Sequence, residues 1–170
     1  MNKSLFLEYI NTRGIDMDKL KKVIFFIVVL AIFMVSGFLL GRNTDFYQEV
    51  NKPIFAPKGI VFSIVWVALY IIQSYYITYI FYNFRNNDEG KKLFILLIIN
   101  GIINILYMPV FFIFKSIFGG FVINLLLFVS TLLIVYKSKQ LLINEWYLEI
   151  PYLLWVTFAL VLSTSIYLLN

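Results

Sequence analysis

The side chains of this sequence that could do chemistry in an apolar environment are amides, hydroxyls and aromatic rings. Asn100 and Asn104 are one helical turn apart, and Tyr107 and Phe111 continue the same face of a helix. A buried amide must be hydrogen-bonded, and its partner is either another helix or a ligand. The pattern therefore indicates stacking and hydrogen bonding, and both kinds of partner stay open at this point.

The composition excludes most catalytic chemistry. The chain has no histidine and no cysteine, so it lacks the commonest general base, the thiolate nucleophile and the usual ligands of zinc. Its long apolar stretches contain no Asp, Glu, Lys or Arg, which leaves no proton relay within them. We predict no catalytic residues, no metal ligands and no cofactor, and therefore a protein that is not an enzyme.

The elements that must position these side chains are membrane-spanning helices. Hydrophobic residues make up 62% of the chain and charged residues 14%, with a mean hydropathy of +0.89. A soluble chain has about 45 to 50% apolar residues. Five apolar stretches are long enough to cross a bilayer as helices, at 23–40, 60–82, 93–114, 117–136 and 150–169. We predict an all-α integral membrane protein, a bundle of five transmembrane helices.

The basic residues predict the orientation of this bundle. The net charge of +5 could suggest a nucleic-acid partner, but the lysines and arginines lie in short clusters between apolar runs. Ten of the fourteen fall on the side of the N-terminus, as cytoplasmic segments require. We therefore predict no nucleic-acid binding. We predict a basic cytoplasmic segment at 1–22 and a transmembrane domain at 23–170, with the C-terminus on the outer side of the membrane.

The connection between the first two spans, residues 41–59, is long enough to be a folded element. This segment, called loop one below, contains Pro53, Pro57 and the aromatic residues Phe46, Tyr47 and Phe55. A connection of this length is more often a folded binding loop or cap than an unstructured linker. Trp66 and Trp155 lie inside their spans on the same side of the bundle, and Pro109 should kink the third span. Together these features predict a pocket with a lid.

Four motifs in order along the chain resemble the TspO family, the tryptophan-rich sensory proteins related to the mitochondrial translocator protein or peripheral benzodiazepine receptor. Loop one reads K-P-I-F-A-P at 52–57, close to the family's K-P-x-W-x-P-P. The second and third spans read F-S-I-V-W-V-A-L-Y at 62–70 and N-I-L-Y-M-P-V-F-F at 104–112. The fifth span reads P-Y-L-L-W-V-T-F-A at 151–159, which is similar to P-Y-x-x-W-x-x-F-A.

The resemblance implies a five-helix bundle, often a homodimer, with a pocket between the helices that loop one closes over a tetrapyrrole such as protoporphyrin. Phe55 and Tyr107 stand where the family has tryptophan, and Asn100 stands for a glutamine. Transferred position by position, the ligand-binding candidates are Tyr47, Phe55, Trp66, Asn104, Tyr107, Trp155 and Ala159.

Three functions fit these observations. The first is a protein of a bacterial cell membrane that binds a porphyrin-type small molecule and acts as a sensor or transporter. The second is an enzyme that modifies porphyrin, which would have to use tryptophan or tyrosine radicals since histidine, cysteine and intramembrane acids are missing. The third is a structural or accessory membrane subunit whose aromatic residues only pack.

The predicted orientation is tested by cysteine labelling, because the chain has no cysteine of its own. In Gly59→Cys, at the end of loop one, we expect reaction with a membrane-impermeant maleimide added to intact cells. The matched variant Asn87→Cys, in the next loop, should react only after the cells are permeabilised. The reverse pattern would invert the topology.

Overall fold

The structure is a computed structural model that describes residues 16–40 and 45–170, without the side chains of residues 36–40. Within this part of the chain there are helices and no strands. The α-helices are α1 (Met17–Leu40), α2 (Asp45–Glu49), α3 (Gly59–Phe84), α4 (Asp88–Met108), α5 (Ile117–Gln140) and α6 (Ile150–Leu169). A π-helix, Pro109–Ile113, follows α4, and a 3₁₀ helix, Asn144–Glu149, precedes α6.

Four helical segments of the described chain are long and apolar enough to cross a membrane. They are Gly59–Phe84, Asp88–Ile113, Ile117–Gln140 and Asn144–Leu169. The further helix α1, of 24 residues, packs on α3 and α4. Large apolar side chains point outward on every one of these helices, which is the arrangement expected when lipid surrounds a bundle.

The predicted spans agree with the helices, with differences at the ends. The fifth predicted span coincides with α6, whereas α1 begins six residues before residue 23 and so includes part of the predicted segment 1–22. Residues 1–15 of that segment, and residues 41–44 of loop one, lie outside the described residues. The helices run past the apolar stretches because backbone hydrogen bonding continues into polar residues at the membrane surface.

Polar caps explain how short connections can join such long helices. The side chain of Asn87 accepts a hydrogen bond from the backbone N–H of Glu89 (2.9 Å) at the start of α4. Ser116 does the same for Gly119 (3.0 Å) at the start of α5. Each cap satisfies one of the N–H groups that a helix leaves unpaired at its start. The caps therefore stabilise the starts of α4 and α5 directly after the short connections.

The predicted kink at Pro109 appears as a change of helix type. Proline has no backbone N–H and cannot donate to the carbonyl four residues before it, so α4 ends at Met108 and the chain continues as the π-helix Pro109–Ile113. This wider turn places the buried ring of Phe111 against the first turn of α5. A Cβ atom at Gly120 would lie 2.7 Å from Cδ2 of Phe111, so only glycine permits the close approach.

The close approach at Gly120 predicts that Gly120→Ala destabilises the fold by about 1 to 2 kcal/mol, because overpacking outweighs the gain in helix propensity. Phe111 cannot turn away easily, since its ring stacks on Tyr107 at 5.5 Å and contacts Phe112 at 5.0 Å. Thermal unfolding in detergent measures the effect. Gly59→Ala is the control, because its Cβ would meet no atom within 4 Å; equal melting temperatures for the two variants would contradict the packing argument.

Candidate ligand-binding site

An aromatic cluster between α3 and α6 forms the centre of the candidate site. The rings of Trp66 and Trp155 meet edge to face, with centroids 6.4 Å apart and planes at 88°. Phe62 and Phe158 contact Trp155 at 5.8 Å and 5.3 Å. These four residues are spaced by three or four positions along their helices, so each helix presents one aromatic face to the other. Trp66 and Trp155, both candidates from the sequence, are thus in direct contact.

Loop one covers the end of this cluster that lies near the start of α3 and the end of α6. The Tyr47 hydroxyl donates a hydrogen bond to the carbonyl oxygen of Pro57 (3.3 Å), and its ring meets Phe62 at 5.7 Å. Partial burial raises the pKa of Tyr47 above its usual value, which keeps the hydroxyl a donor. Lys52 lies over the Tyr47 ring at 4.9 Å and donates to its carbonyl oxygen at 2.6 Å. The half-exposed ring of Phe55 reaches Phe158 at 6.3 Å.

Two contacts distant in sequence hold loop one on the bundle. Asn51 donates from its backbone N–H to the side-chain oxygen of Asn170 (2.9 Å), and the Asn170 amide donates back to the Asn51 carbonyl (3.0 Å). Lys115, in the turn before α5, pairs with Glu49 at 3.1 Å. Exposed polar pairs of this kind contribute about 0 to 1 kcal/mol each. Loop one is held mainly by apolar packing, since Val50 is buried against Leu162 and Ile166.

A chain of hydrogen bonds runs beneath the aromatic cluster. Tyr70 donates to the Oδ1 atom of Asn104 (3.1 Å), and Asn104 donates from Nδ2 to the hydroxyl of Tyr152 (3.2 Å). Tyr152 in turn donates to the Oδ1 atom of Asn100 (3.1 Å). The Asn100 amide then donates to the hydroxyls of Ser130 and Thr131, at 2.7 Å and 3.1 Å. The chain links α3, α4, α5 and α6, so both asparagines face the bundle interior as predicted, and hydrogen bonds between helices satisfy them.

The last two predicted residues lie beside the cluster. Tyr107 packs in the same apolar group as Trp66 and Trp155, and its side chain reaches Asn124 on α5. The Asn124 amide donates to the carbonyl oxygen of Ala159 (3.4 Å). All seven predicted site residues are therefore in one region of the protein, with Tyr107 and Ala159 connected to each other through Asn124.

A groove opens from this region onto the surface of the bundle, between α3 and α6. Its volume is about 420 Å³, and its lining comes from α3 and from the start of α6. The lining residues are Ile64, Val65, Ala68, Leu69, Ile72, Pro151, Leu154 and Trp155. The indole N–H of Trp155 is buried and has no hydrogen-bond partner among the described residues. An apolar groove beside an unpaired buried donor suits an apolar ligand that carries one acceptor.

The sequence analysis missed one buried pair near this groove. Glu149 is 0% exposed, and its Oε2 atom accepts a hydrogen bond from the side-chain amide of Gln73 at 2.8 Å. The expectation that acids are absent from the bundle is correct for the apolar stretches and wrong for the folded interior, because the 3₁₀ helix turns Glu149 inward. A carboxylate directly before an uninterrupted apolar run was the signal that could have found it.

Comparison with known proteins identifies the family. A sequence model of the TspO/MBR family matches residues 24–169. The chain belongs to the TspO/MBR family. Tryptophan-rich protein TspO of Bacillus cereus is 30% identical over 152 residues, which cover 89% of this chain and 98% of the relative. TspO of Archaeoglobus fulgidus is 31% identical over 160 residues, with 91% and 99% covered. The uncharacterized membrane protein YtaB of Bacillus subtilis is 27% identical over 147 residues, with 85% and 93% covered.

The family and the apolar helices together make this chain an integral membrane protein. The match begins within α1 and ends with α6, so it includes every element that contributes to the candidate site. This TspO/MBR family member has three tryptophans. Its cluster uses Phe62, Phe158 and Tyr152 around two of them.

The hydrogen-bonded chain predicts a specific cost for losing the Tyr152 hydroxyl. Tyr152→Phe removes an acceptor from Asn104 and a donor from Asn100 without changing the ring, so two buried amides lose a partner. We expect a destabilisation of about 1 to 3 kcal/mol, seen as a lower melting temperature in detergent. Tyr147→Phe, at an exposed position, is the control. If both variants melt like the parent, the chain contributes nothing to stability.

Proposed function

We propose that this protein binds a flat aromatic tetrapyrrole, of the protoporphyrin kind, between α3 and α6 under loop one, and acts as a membrane sensor or transporter of that ligand. The observation that carries the proposal is the unpaired indole N–H of Trp155, buried where an aromatic cluster meets an apolar groove. A buried donor without an acceptor is costly. A ligand with an acceptor atom and an aromatic face would remove that cost.

Binding would require the cluster to open. The ring of Trp155 contacts the rings of both Trp66 and Phe158, so a macrocycle could enter only if the rings turn or α3 and α6 separate. Any movement of loop one would also have to separate the buried Val50 from Leu162 and Ile166, so the ligand would have to bind the open arrangement more tightly by at least the free energy of those contacts. Tyr47 and Phe55 would then close over the ligand, with Asn104 and Tyr107 as hydrogen-bonding groups and Ala159 leaving room.

The number of membrane spans and their orientation belong to the same proposal. We take α1 as the fifth span of a TspO-type bundle, which places the N-terminus in the cytoplasm and the C-terminus outside a bacterial cell membrane. The Tyr47, Phe55 and groove region would then face the outer half of the bilayer. The homodimer that the resemblance implies stays a prediction.

Metal-free protoporphyrin should bind at least as tightly as haem. Haem iron is usually held by histidine, cysteine, methionine or tyrosine, and the chain lacks the first two. Absorbance or fluorescence titration of the purified protein in detergent measures both affinities. Trp155→Ala should weaken both by a similar factor, equivalent to about 1 to 3 kcal/mol of stacking.

A matched variant separates the role of the indole N–H from that of the ring. Trp155→Phe keeps an aromatic face and loses the donor, so its affinity should lie between those of the parent and Trp155→Ala. A haem preference of about tenfold or more, with the absorption spectrum of ligated iron, would contradict this site. Absence of saturable binding would favour a purely structural subunit, and a pigment spectrum that changes with time would favour a porphyrin-modifying enzyme.

A further inference from the structure

Glu149 is a buried acid that the proposed binding site does not use. Its side chain is 0% exposed, its Oε2 atom accepts one hydrogen bond from the neutral amide of Gln73, and its Oε1 atom has no partner among the described residues. An ionised carboxylate in such surroundings normally has a cationic partner or several donors, since burial of a lone charge is very costly. The single neutral donor is too little compensation for a full charge.

The nearby cations are engaged elsewhere. On α5, Lys137 pairs with Glu89 at 3.3 Å, and Lys139 lies 4.0 Å from the centre of the Trp146 ring. None of the ion pairs between described residues includes Glu149. The lysines at this end of the bundle therefore leave the carboxyl group without a counter-ion.

The remaining titratable groups around Glu149 are acids and phenols. Glu145 lies one turn earlier on the 3₁₀ helix with a buried Oε2 atom that also has no partner, and Tyr79 on α3 is close to it. Tyr76 on α3 and Tyr152 on α6 also lie near Glu149. None of these groups carries a positive charge, so none of them compensates for the burial of an ionised Glu149.

The position of Glu149 joins the two helices that carry the ligand site. Gln73 directly follows Ile72, the last groove residue of α3, and Glu149 lies two residues before Pro151, the first groove residue of α6. The hydrogen bond between their side chains therefore fastens α3 to the 3₁₀ helix that leads directly into α6, beside the groove. Its strength depends on charge, because a bond to an ionised acceptor is roughly twice as strong as one between neutral groups.

We propose that Glu149 is a proton-binding site within the bundle, and that its hydrogen bond with Gln73 is a proton-sensitive clasp between α3 and α6. The ionised carboxylate holds the Gln73 amide firmly and keeps the groove narrow. Proton uptake removes the cost of the buried charge, weakens the clasp and lets the groove widen. An intramembrane acid in contact with a neighbouring helix is well suited to such a role.

The clasp has a consequence for the ligand that rests on the proposed function. If a tetrapyrrole separates α3 from α6 when it binds, then it binds more tightly to the protonated protein. By linkage, ligand binding must also promote proton uptake at Glu149. We expect affinity to rise about fivefold or more between alkaline and acidic pH, at the low end of typical coupling between sites.

The proton site itself is tested without any ligand. Infrared difference spectra of the purified protein in detergent, recorded as the pH is changed, show the C=O stretching band of protonated carboxyl groups. We expect a band that persists to neutral pH in the parent, is missing in Glu149→Gln and is retained in Glu49→Gln, an exposed control. The proposal would be overturned if, as the pH is raised, all bands of protonated carboxyl groups disappeared together while the pH is still acidic. A neutral-pH band that only Glu145→Gln removes would overturn it as well.

The clasp is tested by a distance that does not depend on ligand. Nitroxide labels on Ile64→Cys and Leu154→Cys, which line opposite sides of the groove, report their separation by dipolar broadening of the electron paramagnetic resonance spectrum. We expect broadening to weaken on acidification in the parent background and to stay constant when Glu149→Gln is added. Equal broadening at all pH values in the parent background would contradict the clasp.

Protoporphyrin titrations at several pH values complete the test and keep the two proposals distinguishable. We expect a pH-dependent affinity in the parent and a pH-independent one in Glu149→Gln. An affinity that depends on pH equally in both would refute the coupling through Glu149 and leave the ligand site intact. If protoporphyrin does not bind at all, the proposed function fails, while the infrared and distance measurements still decide the proton site.

Discussion

Every polar group buried in this bundle has to find a partner inside the protein, and most of the architecture follows from that requirement. Lipid offers no hydrogen bonds, so an unpaired amide or hydroxyl costs several kcal/mol. The chain from Tyr70 through Asn104, Tyr152 and Asn100 satisfies four side chains in series and joins α3, α4 and α6. The register between helices is therefore set by donors and acceptors, while apolar side chains fill the space around them.

Two of the exceptions to this rule lie at the interface between α3 and α6. Trp155 has an unpaired N–H there, and Glu149 has an unpaired oxygen directly before α6 begins. Both are near the same groove. Two further buried atoms of the described residues, Ser74 Oγ and Glu145 Oε2, also lack a partner. Unpaired groups at this interface are the ones that a ligand or a proton could satisfy.

The aromatic cluster of this TspO/MBR family member is built from two tryptophans and several smaller rings. Trp66 and Trp155 keep the central edge-to-face contact, while Phe62, Phe158 and Tyr152 supply the surrounding ring surfaces. Phenylalanine gives stacking area without a donor. The polar groups of the candidate site are therefore those of Trp155, Tyr47 and the asparagine chain, and of these the Trp155 N–H is the one that has no partner among the described residues.

The sequence by itself determined the membrane location, the helical segments and the inward direction of Asn100 and Asn104, because apolar run length and helical spacing are local properties. Its motifs also named side chains that the fold brings together, such as Trp66 and Trp155. Only the tertiary structure decided that Tyr152 links the two asparagines, that the Trp155 N–H is left unpaired, and that Glu149 turns inward to Gln73. Those outcomes depend on which residues of distant helices meet, and no pattern within a single helix contains that information.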